Sequence, residues 1–558
     1  MPRGGFQTIF SQMEGPFHSI FEKDFHGSVF FHSGEKIYRF DGNELFVIKE
    51  KAGNCKSVFL MMNGNVYLYT KNGDIFEIKN DFSCEKAEPY IPEFSVSQGY
   101  DLSDYDIIEP VNMLTRKIRC TYYDVPMVKV IYTTPFDIDQ DEDIEVYIDD
   151  KKYEYLFASC NEKNKLHING TGEPTSFEKV TFVFSIAKDE KMQEYFSKIY
   201  GCDIAFCYGG TTNDGTRAFF TGNEDFPGMY LRSELKQPLY FPDTCEELLG
   251  DGSENVTAVQ KRYEKLFFFT PHRIYSMKYT FSDQYGASFP VTEINTNTGC
   301  SMKNTVRSID NTPVFADILT GIYLLQSTDI FDELNVKHIS ANIEAVRKDS
   351  FAYTGDGVAY ASCDHDRKYY IYDGEDLYIW DYGKTPYYSS ADSEADEKRL
   401  AWYKFGGISD CVYIFSHKGK LYFICGKEKT EMLEYSEETS SDKLFLQGEQ
   451  KDIPVDSFFM TASYDFGIRY SKKRLHYVSF EYETEDECCG LKAKFYANGK
   501  KFYELSPILR GKSGQAKIKL PTYYADRFAV KFEFCGERAG IRSIDFCYSL
   551  AERAKYNL

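Results

Sequence analysis

A repeated unit of strand, tight turn and strand constrains this chain more than any other feature. Residues 28–48 read SVFFHSGEKIYRFDGNELFVI, and residues 57–78 read SVFLMMNGNVYLYTKNGDIFEI. Each runs from an apolar strand through a Gly-containing turn into a Tyr-bearing strand, then through an Asp-Gly or Asn-Gly turn into another. Such turns supply the left-handed backbone that folds one strand back on the next, so the pattern predicts hairpins. Comparable units recur at residues 265–278 (KLFFFTPHRIYSMK), 313–327, 358–380 and 411–427, with 204–220 as a degenerate member. From residue 265 onward they are spaced by about 45 to 55 residues, close to the size of a four-stranded propeller blade. The expectation is a mostly β chain built on a β-propeller of about six to eight blades. No fixed dipeptide marks the repeats, so an irregular stack of β-meanders is the alternative.

The rhythm breaks twice. Between residues 106 and 199, four or five strands with polar turns (from VNMLTRKIRCTYY to KVTFVFSIA) read as a small β-sandwich inserted between blades. Residues 188–200 then read as an amphipathic helix, with Met192, Phe196 and Ile199 on one side. The stretch 203–243 follows: a strand at 204–208, a Gly/Thr/Asn loop, a strand at 217–220, the Gly222-Asn223 turn, and a long aromatic and proline loop. Residues 388–398 and 434–442 read as solvated acidic loops. Beyond Pro454, alternating strands around an Asn498-Gly499 turn read as a second sandwich. The expected organisation is first blades over 1–105, the inserted β-sandwich over 106–190, remaining blades over 191–454, and a C-terminal antiparallel β-sandwich over 455–558.

Composition agrees with strands. The chain of 558 residues holds 46 Phe and 45 Tyr against 2 Trp, and Phe and Tyr suit half-buried sheet faces. Its net charge of −21 argues against a protein that coats DNA, since phosphate binding needs basic patches. A local basic patch stays open, and the acidity also serves solubility. The 15 Cys are thinly spread, with no C-x2-C pair and one adjacent pair, Cys488-Cys489. That pattern fits free, mostly buried thiols made in a reducing cytoplasm better than a disulfide framework. The N-terminal stretch has no apolar core of a signal peptide, and no apolar run reaches the length of a membrane span.

Motifs that could carry chemistry are thin. Asp137, Asp139 and Asp141 imitate the start of a calcium loop, but Glu142 stands where Gly is needed, so a solvated turn is the expectation. Cys363, Asp364, His365 and Asp366 lack a second ligand pair. The nine His read as isolated, with His272 and His417 in hairpin turns, and no G-x-S-x-G elbow is present. Asn169-Gly170-Thr171 and Asn255-Val256-Thr257 match the glycosylation pattern by chance. Asp373-Gly374 and Trp380-Asp381 bracket a strand read as a blade's outer edge, and Trp380 and Trp402 read as packing residues. No catalytic, cofactor-binding or metal residue is assigned. A carboxylate pair of a glycan-cleaving enzyme stays open, because its separation is invisible without the fold.

The order of motifs from residue 111 to 327 resembles a family of tailed-phage structural β-propeller proteins. These are similar to the packaged-DNA stabilisation and tail hub (nozzle) proteins of phages and prophages of Gram-positive bacteria. The resemblance rests on Asn112, Leu114 and Thr115, then Tyr200-Gly201, residues 206–210, Arg217-Ala218-Phe219-Phe220 and Gly222-Asn223. It continues through Phe226-Pro227, Pro238-Leu239-Tyr240-Phe241-Pro242, Gly252-Ser253, Val256-Thr257-Ala258, Tyr263 and Leu266. Gly299-Cys300-Ser301, Pro313-Val314-Phe315 and Gly321-Ile322-Tyr323 complete it, and Gly228-Met229 departs from the usual pattern. The resemblance implies a virion component without catalysis or cofactor, synthesised in the bacterial host cytoplasm. It implies a tail hub, nozzle or head–tail connector that forms a homo-oligomeric ring of about six copies. Such a ring would contact other tail or connector proteins, let double-stranded DNA pass without sequence-specific binding, and help retain packaged DNA. A receptor- or glycan-binding β-propeller of a tail tip or fibre is the alternative.

Overall fold

The computed structural model describes residues 4–96, 107–123, 131–152, 157–169, 178–209, 216–284, 286–326, 335–341, 343, 359–384, 400–426, 429–439, 441–446, 449–468, 471–485, 487–535 and 539–551. The chain is mostly β, and one α-helix, Glu190–Tyr200, stands among the described residues. Six four-stranded antiparallel sheets follow one another along the chain, each hydrogen-bonded in sequence order. Their first strands are Phe17–Phe25, Ser57–Met62, Ile204–Tyr208, Ala258–Arg262, Arg307–Ile309 and Ala361–His365. A seventh sheet orders Cys411–His417, Lys420–Cys425 and Lys429–Ser436, then takes the N-terminal strand Gly5–Glu14 as its fourth member. Ser441–Leu446 and Glu449–Pro454 extend it further.

Turn chemistry fixes five of the seven sheets. Between first and second strands lie two-residue turns with both residues left-handed: His26-Gly27, Asn63-Gly64, Asp310-Asn311, Asp366-Arg367 and Lys418-Gly419. That conformation matches the twist of the flanking strands and closes the hairpin in the fewest residues. The second and third strands are almost wholly buried, as in Lys368–Tyr372 and Leu377–Asp381. Neighbouring sheets share their cores. Tyr208, Phe219 and Tyr230 of the third sheet pack with Leu266, Phe268 and Tyr275 of the fourth. Val29, Phe31 and Phe40 of the first pack with Phe415, Tyr422 and Ile424 of the seventh.

Several expectations need correction. The segment at 203–243 is no hairpin with a loop, because Met229–Arg232 and Glu246–Leu248 complete a full four-stranded sheet. The acidic stretch 434–442 is mostly strand, and Asp442 is 4% exposed and accepts a 2.9 Å hydrogen bond from the Phe6 N–H. The outer edge of the sixth sheet is Trp402–Phe405, not the strand Leu377–Asp381 that holds Trp380. On the helix, Tyr195 rather than Phe196 joins Met192 and Ile199 in the core. Asp189 caps its N-terminus by accepting from the Met192 N–H at 2.8 Å. Residues 388–398 lie outside those described.

Between the second and third sheets the chain builds a six-stranded and a three-stranded sheet. The six-stranded one includes Glu93–Val96, which runs parallel to Lys117–Tyr123. Cys120, Tyr122, Leu166 and Phe182 are buried in a core continuous with that of the second and third sheets. Past residue 455 two antiparallel sheets enclose a separate core of Val478, Phe480, Leu491, Phe495, Val530 and Phe532.

Candidate functional site

The first strands of the first, fifth, sixth and seventh sheets bring distant residues together. Arg307, on the fifth sheet, donates through Nε to the Ser362 carbonyl of the sixth at 3.0 Å. Its Nη2 lies 3.4 Å from the Tyr413 hydroxyl of the seventh sheet and 3.6 Å from Glu22 Oε2 of the first. Tyr413 in turn donates to Glu22 at 3.1 Å. Four sheets are thus tied by one guanidinium. Burial disfavours its charge, but Glu22 and Tyr413 together hold Arg307 ionised above its ordinary range. Beside it, Asp364 accepts from the Tyr382 hydroxyl at 2.7 Å, and burial raises its carboxyl above the usual value. Between the second and third sheets, Cys207 Sγ donates to the Met61 carbonyl at 3.1 Å, and burial pushes that thiol up to about 12. At one end, Asp203 stands 3.6 Å from both Lys56 and Lys303, and Lys303 reaches Glu224 at 2.5 Å. Glu22 is thus paired with Arg307, Asp203 with Lys56 and Lys303, and Glu224 with Lys303, while Asp364 is held by a tyrosine hydroxyl.

A second polar cluster joins the first two sheets. His32 is fully buried, and its Nδ1 lies 2.8 Å from Ser57 Oγ, which lies 2.6 Å from Ser19 Oγ. The His18 ring packs 4.7 Å from that of His32 and bonds Asn54 at 2.9 Å. The reading of isolated histidines is corrected here: His18 and Ser19 precede the turn that returns His32, while Ser57 comes from another sheet. His417 is corrected too, since it ends a strand, is 4% exposed and faces Phe40 rather than a turn's solvent. His272 does lie in a turn, 3.1 Å from Glu254.

The remaining sequence candidates resolve into structure. Asp139 is 9% exposed, not solvated: Arg116 donates to it at 2.7 Å and holds its carboxyl below the usual range. Arg116 also pairs with Glu142. Cys363 is buried, and His365 points to Ser416 at 2.8 Å. No group of three or more metal-ligating side chains occurs among the described residues. Val256 and Thr257 are buried, so the Asn255 sequon is no open acceptor, while residues 170 and 171 of the other lie outside those described. Trp380 is 1% exposed and Trp402 donates to the Ile339 carbonyl at 2.9 Å, as packing residues do. Thirteen of the fifteen cysteines are free thiols, and no described helix is long and apolar enough to cross a membrane.

The motif residues of the 111–327 region act as joints. Asn112 is fully buried, donates to the carbonyls of Tyr90 and Leu239 at 2.8 Å each, and accepts from the Phe241 N–H at 3.0 Å. Asn223 donates to Ser197 and Lys198 carbonyls at the helix end. Thr257 bonds the Cys300 carbonyl at 2.5 Å, linking the fourth sheet to the loop that enters the fifth.

A groove of about 480 Å³ lies in the C-terminal pair of sheets. Phe459, Thr461, Tyr464 and Phe466 form one wall, and the strand Ala539–Leu550 forms the other through Ile541 and Phe546. Nothing in the local sequence pattern marks this groove.

No family model and no curated protein matches the chain. Among solved structures, it is similar to BamB from Moraxella catarrhalis at 7% identity and TM-score 0.32, covering 77% of this chain and 98% of that one. It is also similar to an exo-beta-1,3-galactanase from Phanerochaete chrysosporium with galactose, at 8% identity and TM-score 0.21, covering 61% and 95%. A glycoside hydrolase matches at 9% identity and TM-score 0.25, covering 96% and 99%. Because glycoside hydrolases stand among these matches, the expectation of a chain without catalysis is corrected and withdrawn. At such TM-scores the likeness transfers no activity, and nothing in it bears on phages.

Proposed function

We propose that the seven sheets are the blades of one closed β-propeller, and that the protein is a tailed-phage virion component. In this reading copies stand side by side as a ring around the DNA path, in a tail hub, nozzle or head–tail connector. The observation that carries it is the tied centre. Arg307, Glu22 and Tyr413 cross-link the first strands of four sheets, so the unit behaves as a solid block suited to a wall. DNA would pass along the axis of the ring, past chains whose net charge of −21 gives phosphates little to hold. The motif order at residues 111–327 supports the family, and its buried joints suit a load-bearing part.

A second reading, a glycan- or receptor-binding propeller, is favoured by Tyr263. It is 72% exposed at a turn, with φ of 53° and Arg262 5.8 Å from its ring. A rigid exposed ring is the surface that a sugar face stacks upon.

Electron microscopy of purified virions from a host carrying the gene, with the chain labelled, tests both. Labelled rings on the particle axis are the expected result. Label on peripheral fibres, or particles complete without the chain, would overturn the hub reading and make a glycan array with a Tyr263→Ala control the deciding assay.

A further inference from the structure

A wall of a DNA conduit has no task for the groove of the C-terminal sheets, yet that groove is built in detail. One corner is preformed. The Tyr464 N–H donates to the Phe528 carbonyl at 2.8 Å, and the Phe528 N–H donates back at 3.0 Å. Asp465 then accepts from the Gly467 N–H at 3.0 Å, in the turn that holds Phe466 at φ of 54°. The Phe466 ring stacks 4.2 Å from that of Tyr548, and the rings of Tyr464 and Phe466 lie 5.6 and 5.7 Å from that of Phe546. Phe459 lines the groove from the strand Asp456–Met460. Phe459 and Tyr464 are 47% and 45% exposed, so ring surface is left for a ligand. Polar groups share the same walls. Thr461 is satisfied, accepting from the Val530 N–H at 3.1 Å and donating to the Ala462 carbonyl at 3.0 Å. Arg542 is held by Glu483, through Nε at 3.1 Å and Nη2 at 2.8 Å. The Tyr464 hydroxyl, the Ser543 hydroxyl and the Asp545 carboxylate also line the groove, and no described residue hydrogen-bonds any of the three.

These walls sort the classes of ligand. A hydrocarbon would strip water from two hydroxyls and a carboxylate and return no hydrogen bond. An anion, acidic sugars and phosphates included, would meet the Asp545 carboxylate and find the one lining cation, Arg542, already paired. A quaternary ammonium suits rings and a carboxylate but leaves both hydroxyls idle. A neutral oligosaccharide uses every group. Its C–H faces are apolar and lie flat on aromatic rings, while its edge hydroxyls donate to a carboxylate and exchange hydrogen bonds with other hydroxyls. The volume of about 480 Å³ falls in the range of small-molecule sites. We propose that this groove binds a neutral oligosaccharide. Phe459 and Tyr464 supply the stacking rings, Asp545 accepts from sugar hydroxyls, and the Tyr464 and Ser543 hydroxyls complete the polar contacts. The site is separate from Tyr263 and needs no particular place in a virion.

The test uses the full-length purified protein on an array of neutral and acidic oligosaccharides. The strongest neutral binder is then titrated by calorimetry, with choline titrated alongside. A neutral oligosaccharide bound with a Kd of about 1 mM or tighter, and no binding of choline, is expected. Asp545→Ala removes the acceptor and Phe459→Ala removes a ring, and each should weaken binding about tenfold or more. Both side chains are exposed, so both variants should melt at the wild-type temperature. If Phe459→Ala melts early, Asp545→Ala decides. Tyr263→Ala should bind as the wild type does. No neutral oligosaccharide bound at about 1 mM, binding confined to acidic sugars, or choline bound in their place would overturn the site. Wild-type affinity in Asp545→Ala would do so too, as would loss in Tyr263→Ala alone, which would move the glycan to the fourth sheet. None of these results bears on rings at the particle axis, so the groove and the hub reading stand or fall separately.

Discussion

At the residue scale, the chain places ionisable side chains where only another sheet can satisfy them. Arg307 is the clearest: its partners Glu22, Ser362 and Tyr413 lie 285, 55 and 106 residues away in sequence, on three other sheets. His32 is the case with a pH consequence. Burial, then the neighbouring His18, lowers its pKa from 6.5 to about 4. The unfolded chain therefore binds a proton that the folded one refuses between pH 6.5 and 4. Stability falls as pH falls through that window and levels off below it, by at most about 3 kcal/mol from this residue. Urea unfolding at pH 7 and pH 4.5 checks this. The wild type should lose more stability between the two than His32→Gln does, and equal losses would remove His32 from the account.

At the element scale, each sheet is set by its turns and by a few close backbone approaches. Gly228 has φ of 70°, and a Cβ there would stand 2.7 Å from the Gly252 Cα. Neither glycine's backbone can move without shifting the strands Met229–Arg232 and Glu246–Leu248. Gly64 has φ of 81° but open space around it. Gly228→Ala is expected to cost about 3 kcal/mol, strain plus clash, and Gly64→Ala only about 1 kcal/mol, strain alone. Denaturation midpoints of the two variants decide it, and equal costs would mean that the Gly228 contact relaxes freely.

At the scale of the whole molecule, the N-terminal strand joins the last sheet of the series. Gly5–Glu14 pairs with Lys429–Ser436, and Gln7 also aligns in parallel with Lys443. A Cβ on Gly5 would stand 1.9 Å from the Ser441 carbonyl oxygen, so the N-terminal strand is threaded between two neighbours without slack. Deleting residues 1–14 would bare the edges of Lys429–Ser436 and Ser441–Leu446 together. Exposed edges of that kind recruit other chains. The shortened protein is expected to elute as aggregate in size-exclusion chromatography, whereas a sharp single peak with wild-type melting would show that the strand is dispensable.

What the sequence determined by itself was local. Asn63-Gly64 and Lys418-Gly419 announce hairpins because few residues tolerate paired left-handed turns. Asp310-Asn311 and Asp366-Arg367 make the same turn without a glycine to signal it. The helix from Glu190 was legible from its apolar spacing, although Tyr195 and not Phe196 took the buried place. The net charge of −21 and the thinness of catalytic motifs are also properties of the string. Tertiary structure alone decided that Gly5–Glu14 completes a sheet more than 400 residues away, that His32 meets Ser57, and that Arg307 reaches Glu22. It also decided that Phe459 and Phe546 line one groove between the C-terminal sheets. The reason is physical. A turn or a strand is selected by the preferences of adjacent residues, whereas these pairings are selected by which edges and buried charges remain unsatisfied once every sheet has formed.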